Sequence, residues 1–85
     1  MDEYFENLDW SLVQAFLAVA EGGSLSAAAR MLNASQPTLG RQIKALEAQL
    51  RADLVHRQPR GFSLTSTGAH LVAPARAMRD AVQQI

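Results

Sequence analysis

Residues 24–50 read SLSAAARMLNASQPTLGRQIKALEAQL, and this stretch decides the fold. Ser24 is placed to cap a helix from about Leu25 to Leu32, because its hydroxyl can accept one of the amides that a first helical turn leaves without a partner. Leu25, Ala28, Ala29 and Leu32 recur at i, i+3, i+4 and i+7, so they form the expected inward face. The small Ala28 and Ala29 would let the next helix approach closely. Asn33 suits a left-handed exit residue, and Asn33-Ala34-Ser35 has the length of the turn that joins two crossing helices. Ser35 can cap the following helix by accepting the amide of Thr38. Pro37 has no amide to offer, which is harmless in a first turn.

The second of these helices carries two faces. At about 100° per residue, Leu39, Ile43, Leu46 and Leu50 fall in a stripe roughly 60° wide that faces a core. Pro37, Arg41, Lys44 and Ala48 point nearly opposite, with Thr38 and Gly40 beside them, so the outward face is small or cationic. A merely solvated helix would mix charges outward, and Glu47 lies to the side. Two helices in this grammar predict a helix-turn-helix, which lays its second helix in the DNA major groove. There Arg41 can donate two bonds to guanine O6 and N7, and Gln36 or Gln42 can pair with adenine or a phosphate.

Outward from this core, Asp9 is a plausible cap for a helix from about Trp10 to Ala20, ended by Gly22 and Gly23. Its apolar face is Leu12, Phe16 and Val19, supported by Ala15 and Ala20. Met1 to Leu8 read as a loosely held arm or a short extra turn. Downstream, Leu54-Val55-His56 and Phe62-Ser63-Leu64 flank the turn signal Gln58-Pro59-Arg60-Gly61, which predicts a β-hairpin wing over 54–64. Arg57 and Arg60 are expected at its tip, in reach of a minor groove or its phosphates. Thr65 then caps a last helix from about Ser66 toward Ile85. In it Leu71, Ala75, Met78, Val82 and Ile85 are separated by 4, 3, 4 and 3 residues, the seam of a two-helix contact and hence of a homodimer. The same stripe could instead fold back on the chain's own core, and Pro74 should kink or loosen the helix opposite His70. The expected fold is mainly α: a winged helix-turn-helix with a three-helix core, a two-stranded wing and a long C-terminal linker helix. Residues 1–64 would form the DNA-binding domain and residues 65–85 the linker and dimerisation helix.

Eighty-five residues make one small domain that buries about 60–65% of its unfolded surface, so a second copy would help it. The net charge of zero hides a division. Residues 1–29 hold Asp2, Glu3, Glu6, Asp9 and Glu21 with no cation, whereas residues 30–60 hold Arg30, Arg41, Lys44, Arg51, Arg57 and Arg60 against Glu47 and Asp53. Counterion release is local, so a neutral total does not argue against DNA. With no cysteine, disulfide scaffolds and thiolate metal sites are excluded. No apolar run approaches the ~20 residues of a membrane span, and the acidic N-terminus lacks a signal peptide's basic start, which suits the bacterial cytoplasm. His56 and His70 have no partner at metal-ligand spacing, no glycine-rich phosphate loop is present, and the serines and threonine at 24, 35 and 65 read as caps. Neither an enzyme nor a cofactor, metal or small-molecule site is expected. The rival classes are a winged-helix module that grips a protein and a winged-helix regulator of another kind, such as the molybdate-responsive type.

Ala27-Ala28-Ala29, Leu32, Ser35-Gln36-Pro37, Arg41-Gln42-Ile43, Leu46-Glu47, Leu50, Arg57, Leu64-Thr65 and Gly68 together resemble the N-terminal DNA-binding domain of LysR-type transcriptional regulators. The likeness runs from about Leu8 to Ile85. It implies a bacterial regulator that binds interrupted palindromes as a dimer, or as a tetramer in a longer protein, through paired linker helices. By the same resemblance, Gln36, Pro37, Thr38 and Arg41 face bases. Ser35, Gln42 and Lys44 lie near phosphates or base edges, and Arg60 enters the minor groove. The family's coinducer-sensing C-terminal domain has no counterpart in these residues. Three positions depart from its pattern: Gly40 stands where serine is common, Arg51 where a helix-stopping glycine is usual, and Val55 where phenylalanine is common.

Overall fold

The computed structural model describes residues 8–58 and 61–85. The expected arm, Met1 to Leu8, lies outside the described residues except for Leu8, which packs on the core, and so do Pro59 and Arg60 of the wing turn. The elements are α1 (Trp10–Gly22), α2 (Leu25–Leu32), α3 (Gln36–Leu50), β1 (Val55–Gln58), β2 (Gly61–Leu64) and α4 (Ser66–Gln83). The helix-turn-helix and its flanking wing therefore fall where the sequence puts them.

Each helix starts on an oxygen that the sequence supplies. Asp9 accepts from the Ser11 amide, Ser24 from Ala27, Ser35 from Thr38 and Thr65 from Gly68. Helix α1 runs two residues beyond the expected Ala20. Gly22 stays helical and Gly23, at φ 81°, makes the left-handed exit. Asn33 at φ 53° ends α2 and Arg51 at φ 54° ends α3. Arg51 thus keeps the left-handed conformation without being glycine, at a cost of about 1 kcal/mol.

Helix α1 is the centre of the domain, in contact with α2, α3 and α4. Being enclosed on several sides, it buries Val13 and Leu17 as well as Leu12, Ala15, Phe16 and Val19. A single apolar stripe therefore under-reads it. From α3 come Leu39, Ile43 and Leu46, all buried, while Leu50 is half-buried. On α2 only Ala28 is fully buried. Leu25 and Ala29 are half-buried, and Leu32 is corrected to an exposed position, 40% accessible. The helical period carries no information about where the neighbouring helix ends, and the core that covers Ala28 and Ala29 stops short of Leu32.

Leu54, just ahead of β1, is the junction of the fold. Its side chain is fully buried, its amide donates to Glu47 Oε2 (2.7 Å), and its carbonyl accepts from the Thr65 amide (3.0 Å). Thr65 Oγ1 also donates to the Asp53 carbonyl (2.6 Å). Glu47 Oε2 accepts the Val55 amide too (3.3 Å), so one carboxylate on α3 satisfies two backbone donors at the base of the wing. Glu47→Ala is expected to cost about 1–3 kcal/mol, because both donors lose a charged acceptor and Leu54 is buried. Glu47→Gln should cost much less, since an amide oxygen still accepts. Urea denaturation of the two variants measures the difference.

The wing is an antiparallel pair with Val55 opposite Leu64, His56 opposite Ser63, Arg57 opposite Phe62 and Gln58 opposite Gly61. Alternation puts Val55, Arg57, Phe62 and Leu64 on one face, and the three apolar members pack on the core. Arg57 is therefore not at the tip, as expected from the turn signal, but on the face turned toward α3.

On α4 the expected seam divides. Leu71 and Met78 are half-buried against the chain's own core and Ala75 is fully buried there, whereas Val82 and Ile85 are exposed at 46% and 105%. A residue at Ala75 with no exposed surface cannot also line a seam between copies, so that part of the stripe is corrected to intrachain packing. The helix runs through Pro74 without a break. Beyond it, Arg76 and Arg79 both pair with Glu21 at the end of α1.

Candidate nucleic-acid interface

The buried stripe of α3 fixes what its other side presents. With Leu39, Ile43 and Leu46 locked in the core, Gln36, Pro37, Arg41 and Lys44 are exposed. Thr38, Gly40 and Gln42 lie half-buried at the edges, and the cap Ser35 is exposed. The first turn is wired by its hydroxyls. Ser35 Oγ donates to Thr38 Oγ1 (2.8 Å), and Arg41 Nη2 donates to the same oxygen (3.2 Å). Thr38 Oγ1 accepts from both sides, so its own proton is left for an outside acceptor. The exposed Arg41 guanidinium is steadied one turn from the helix start.

Arg57 joins this surface from the wing. Its Nη2 lies 3.5 Å from the Gly40 carbonyl oxygen, and a Cβ at residue 40 would sit 3.8 Å and 3.9 Å from its two terminal nitrogens. A methyl group here would thus only touch the guanidinium, in ordinary van der Waals contact. Gln36, Pro37, Gly40, Arg41, Lys44 and Arg57 line one open cleft of about 710 Å³, with Leu25 from α2 at its margin. Three cations from two elements share this cleft, and no carboxylate lines it.

The structure brings Gln36, Pro37, Gly40, Arg41 and Lys44 of α3 together with Arg57 in one cleft, joins Ser35 and Thr38 to it through the hydrogen bonds to Arg41, and leaves Gln42 half-buried on the other flank of the helix. Arg60 lies outside the described residues. Leu25 was read only as core, and the direction of Arg57 was missed. The period-2 link between Val55 and Arg57 was the signal that carried it. Among the described residues no group of three or more His, Asp or Glu side chains is placed to hold a metal. His56 stands on β1, and His70 on α4 has its Nδ1 2.7 Å from the Ser66 carbonyl. No helix among the described residues is long and apolar enough to cross a membrane.

Three helices, a capped Ser24-to-Ser35 unit and a hairpin folded beside its second helix define a winged helix-turn-helix protein. The model of the bacterial regulatory helix-turn-helix protein, lysR family, matches residues 10–69, and the chain belongs to that family. It is 42% identical over 73 residues to the HTH-type transcriptional regulator TcbR of Pseudomonas sp. (strain P51), covering 86% of this chain and 25% of that regulator. It is 44% identical over 73 residues to TfdS of Cupriavidus pinatubonensis, with the same two shares. The chain thus spans about a quarter of the length of these curated relatives. Among solved structures, it is similar to the CbnR_DBD–DNA complex, with a TM-score of 0.85 and 38% identity over 89% of this chain and 87% of that one. The BenM_DBD/catB site 1 DNA complex gives a TM-score of 0.84 and 33% identity, over 89% and 85%. The family is one of transcriptional regulators and is not enzymatic.

Proposed function

We propose that this chain binds specific sites on double-stranded DNA as the reading head of a cytoplasmic transcriptional regulator. Helix α3 enters the major groove, and the wing follows the neighbouring backbone and minor groove. One observation carries the reading: Arg41 and Lys44 stand exposed opposite a fully buried Leu39/Ile43/Leu46 stripe, with Arg57 held in the same cleft. Arg41 is the base-reading residue, a fork suited to guanine. Gln36, Pro37 and Thr38 lie beside it toward the bases, whereas Ser35, Gln42 and Lys44 serve phosphates or base edges. The small Gly40 lets the helix lie deep, Arg57 grips the backbone from the wing, and Arg60 reaches the minor groove and its phosphates. Residues 65–85 act as a linker through which two copies pair. The exposed Val82 and Ile85 support pairing at its far end, and no cofactor is required.

The test is selection of bound fragments from a random duplex pool, followed by titration of the best site at several salt concentrations. A recurring half-site is expected. With Arg41 on a base and Lys44, Arg57 and Arg60 left to neutralise phosphates, log Kd should change with log salt by about 2–3 per half-site, since each neutralised phosphate contributes about 0.9. Failure to enrich any sequence, or salt-independent affinity, would overturn the reading and favour a protein partner.

A further inference from the structure

Glu21 is a locally misplaced charge. It stands in the last turn of α1, where the helix already presents the negative end of its dipole, and a carboxylate there is unfavourable on its own. What compensates it comes from residues 55 and 58 positions away. Arg76 Nε donates to Oε2 (2.9 Å), Arg79 Nη1 to Oε1 (2.7 Å) and Arg79 Nη2 to Oε2 (3.2 Å). Hydrogen bonds from Arg79 first, and then from Arg76, hold the Glu21 carboxyl below its ordinary range, and Glu21 in turn raises Arg79.

The place of this cluster in the fold matters more than its strength. Arg76 and Arg79 are the two cations of α4. They follow Pro74 and flank Met78, the last residue of the helix packed on the core, and residues 80–85 are all exposed. The cluster is therefore the final side-chain tie before α4 leaves the domain. Residues 75–83, the part of the helix past Pro74, are about 13 Å long, so a 10° change in their direction moves each far end by about 2 Å and alters the separation of the two ends of a symmetric pair by up to about 5 Å. That exceeds the rise of about 3.4 Å per base pair.

We propose that Glu21 is a positioning residue for operator geometry. By holding Arg76 and Arg79 it sets the direction of α4 relative to α3, and with it the half-site separation that a pair of chains can span. The inference rests on the DNA-binding, linker-paired reading above.

The experiment compares the chain with its Glu21→Gln variant on duplexes that carry two selected half-sites, the spacer varied one base pair at a time, and on a duplex with a single half-site. The unaltered chain should prefer one spacer. Glu21→Gln should bind the single half-site within about twofold of it, while its preference for the best spacer over the adjacent ones falls about three- to fivefold, as expected of an exposed charge network. A charge-swapped chain, Glu21→Arg with Arg76→Glu and Arg79→Glu, should restore the preference. An unchanged preference in Glu21→Gln, an unaltered chain indifferent to spacing, or failure of the swap to restore it would each overturn the proposal. A chain that binds no single half-site overturns the parent reading as well, and that result appears before any spacer is varied.

Discussion

Replacing Gly68 with alanine is expected to destabilise the domain by about 2 kcal/mol, among the largest effects of any single-carbon addition in this chain. Gly68 is buried in the first turn of α4, and a Cβ built there falls well inside contact distance of the Leu54 carbonyl oxygen. That oxygen is backbone and already accepts the Thr65 amide, so it cannot swing aside as the end of a side chain could. Either α4 lifts from the base of the wing or the Thr65 cap opens. Overpacking of this kind costs about 1–3 kcal/mol and a lost hydrogen bond about 1 more. The better helix propensity of alanine returns at most about 1 kcal/mol. The balance stays clearly unfavourable for a domain whose whole stability is about 4–13 kcal/mol. Thermal unfolding measures it: a melting temperature lower by roughly 8 °C or more is expected. A variant as stable as the parent would show that α4 has room to shift.

Arg41→Ala should lower affinity for the selected site about 5- to 150-fold, a loss of about 1–3 kcal/mol, and should relax preference at one base pair. The expectation follows from where the guanidinium is kept. Its bond to Thr38 Oγ1 fixes it near the start of α3, and its neighbours Pro37 and Gly40 are too small to hold the groove away. Lys44→Ala provides the contrast, because an ammonium on phosphate should weaken all sequences alike and reduce the salt slope by about 0.9. Competition titrations against single-base variants of the site separate the two patterns. Equal weakening on every sequence in Arg41→Ala would assign that residue to the backbone.

Much of this was legible in the chain because it is written locally. Asp9, Ser24, Ser35 and Thr65 each cap a helix by reaching an amide two or three residues on, and Asn33 closes α2 by its own backbone conformation. Such contacts need no knowledge of the rest of the fold. The two faces of α3 were equally readable, because one stripe of leucine and isoleucine leaves only one direction for the cations. What the sequence concealed depends on partners far along the chain. Leu32 has the right spacing to be core, but burial requires a neighbour that reaches it. Glu47 looks like a side charge until the chain turns back and presents the Leu54 and Val55 amides to it. The 4-3-4-3 spacing on α4 is compatible with either a second copy or α1, and periodicity alone cannot say which surface lies opposite. The structure buries Ala75 within the chain, packs one side of Leu71 and Met78 on the core and leaves Val82 and Ile85 outward.

Pro74 has a consequence for how the domain breathes. It offers no amide to the His70 carbonyl, so the backbone ladder of α4 is weakened at its middle. Ahead of that gap, the Thr65 cap, buried Gly68 and Leu71 tie the helix to the wing base, and amides there should exchange with solvent deuterium only when the whole domain unfolds. Behind it, Ala75, Met78 and one carboxylate are the main restraints, so the last turns can fray and re-form as a separate cooperative unit. The reading head then remains folded when that unit opens, and whenever the unit is closed the Glu21 tie returns it to one direction.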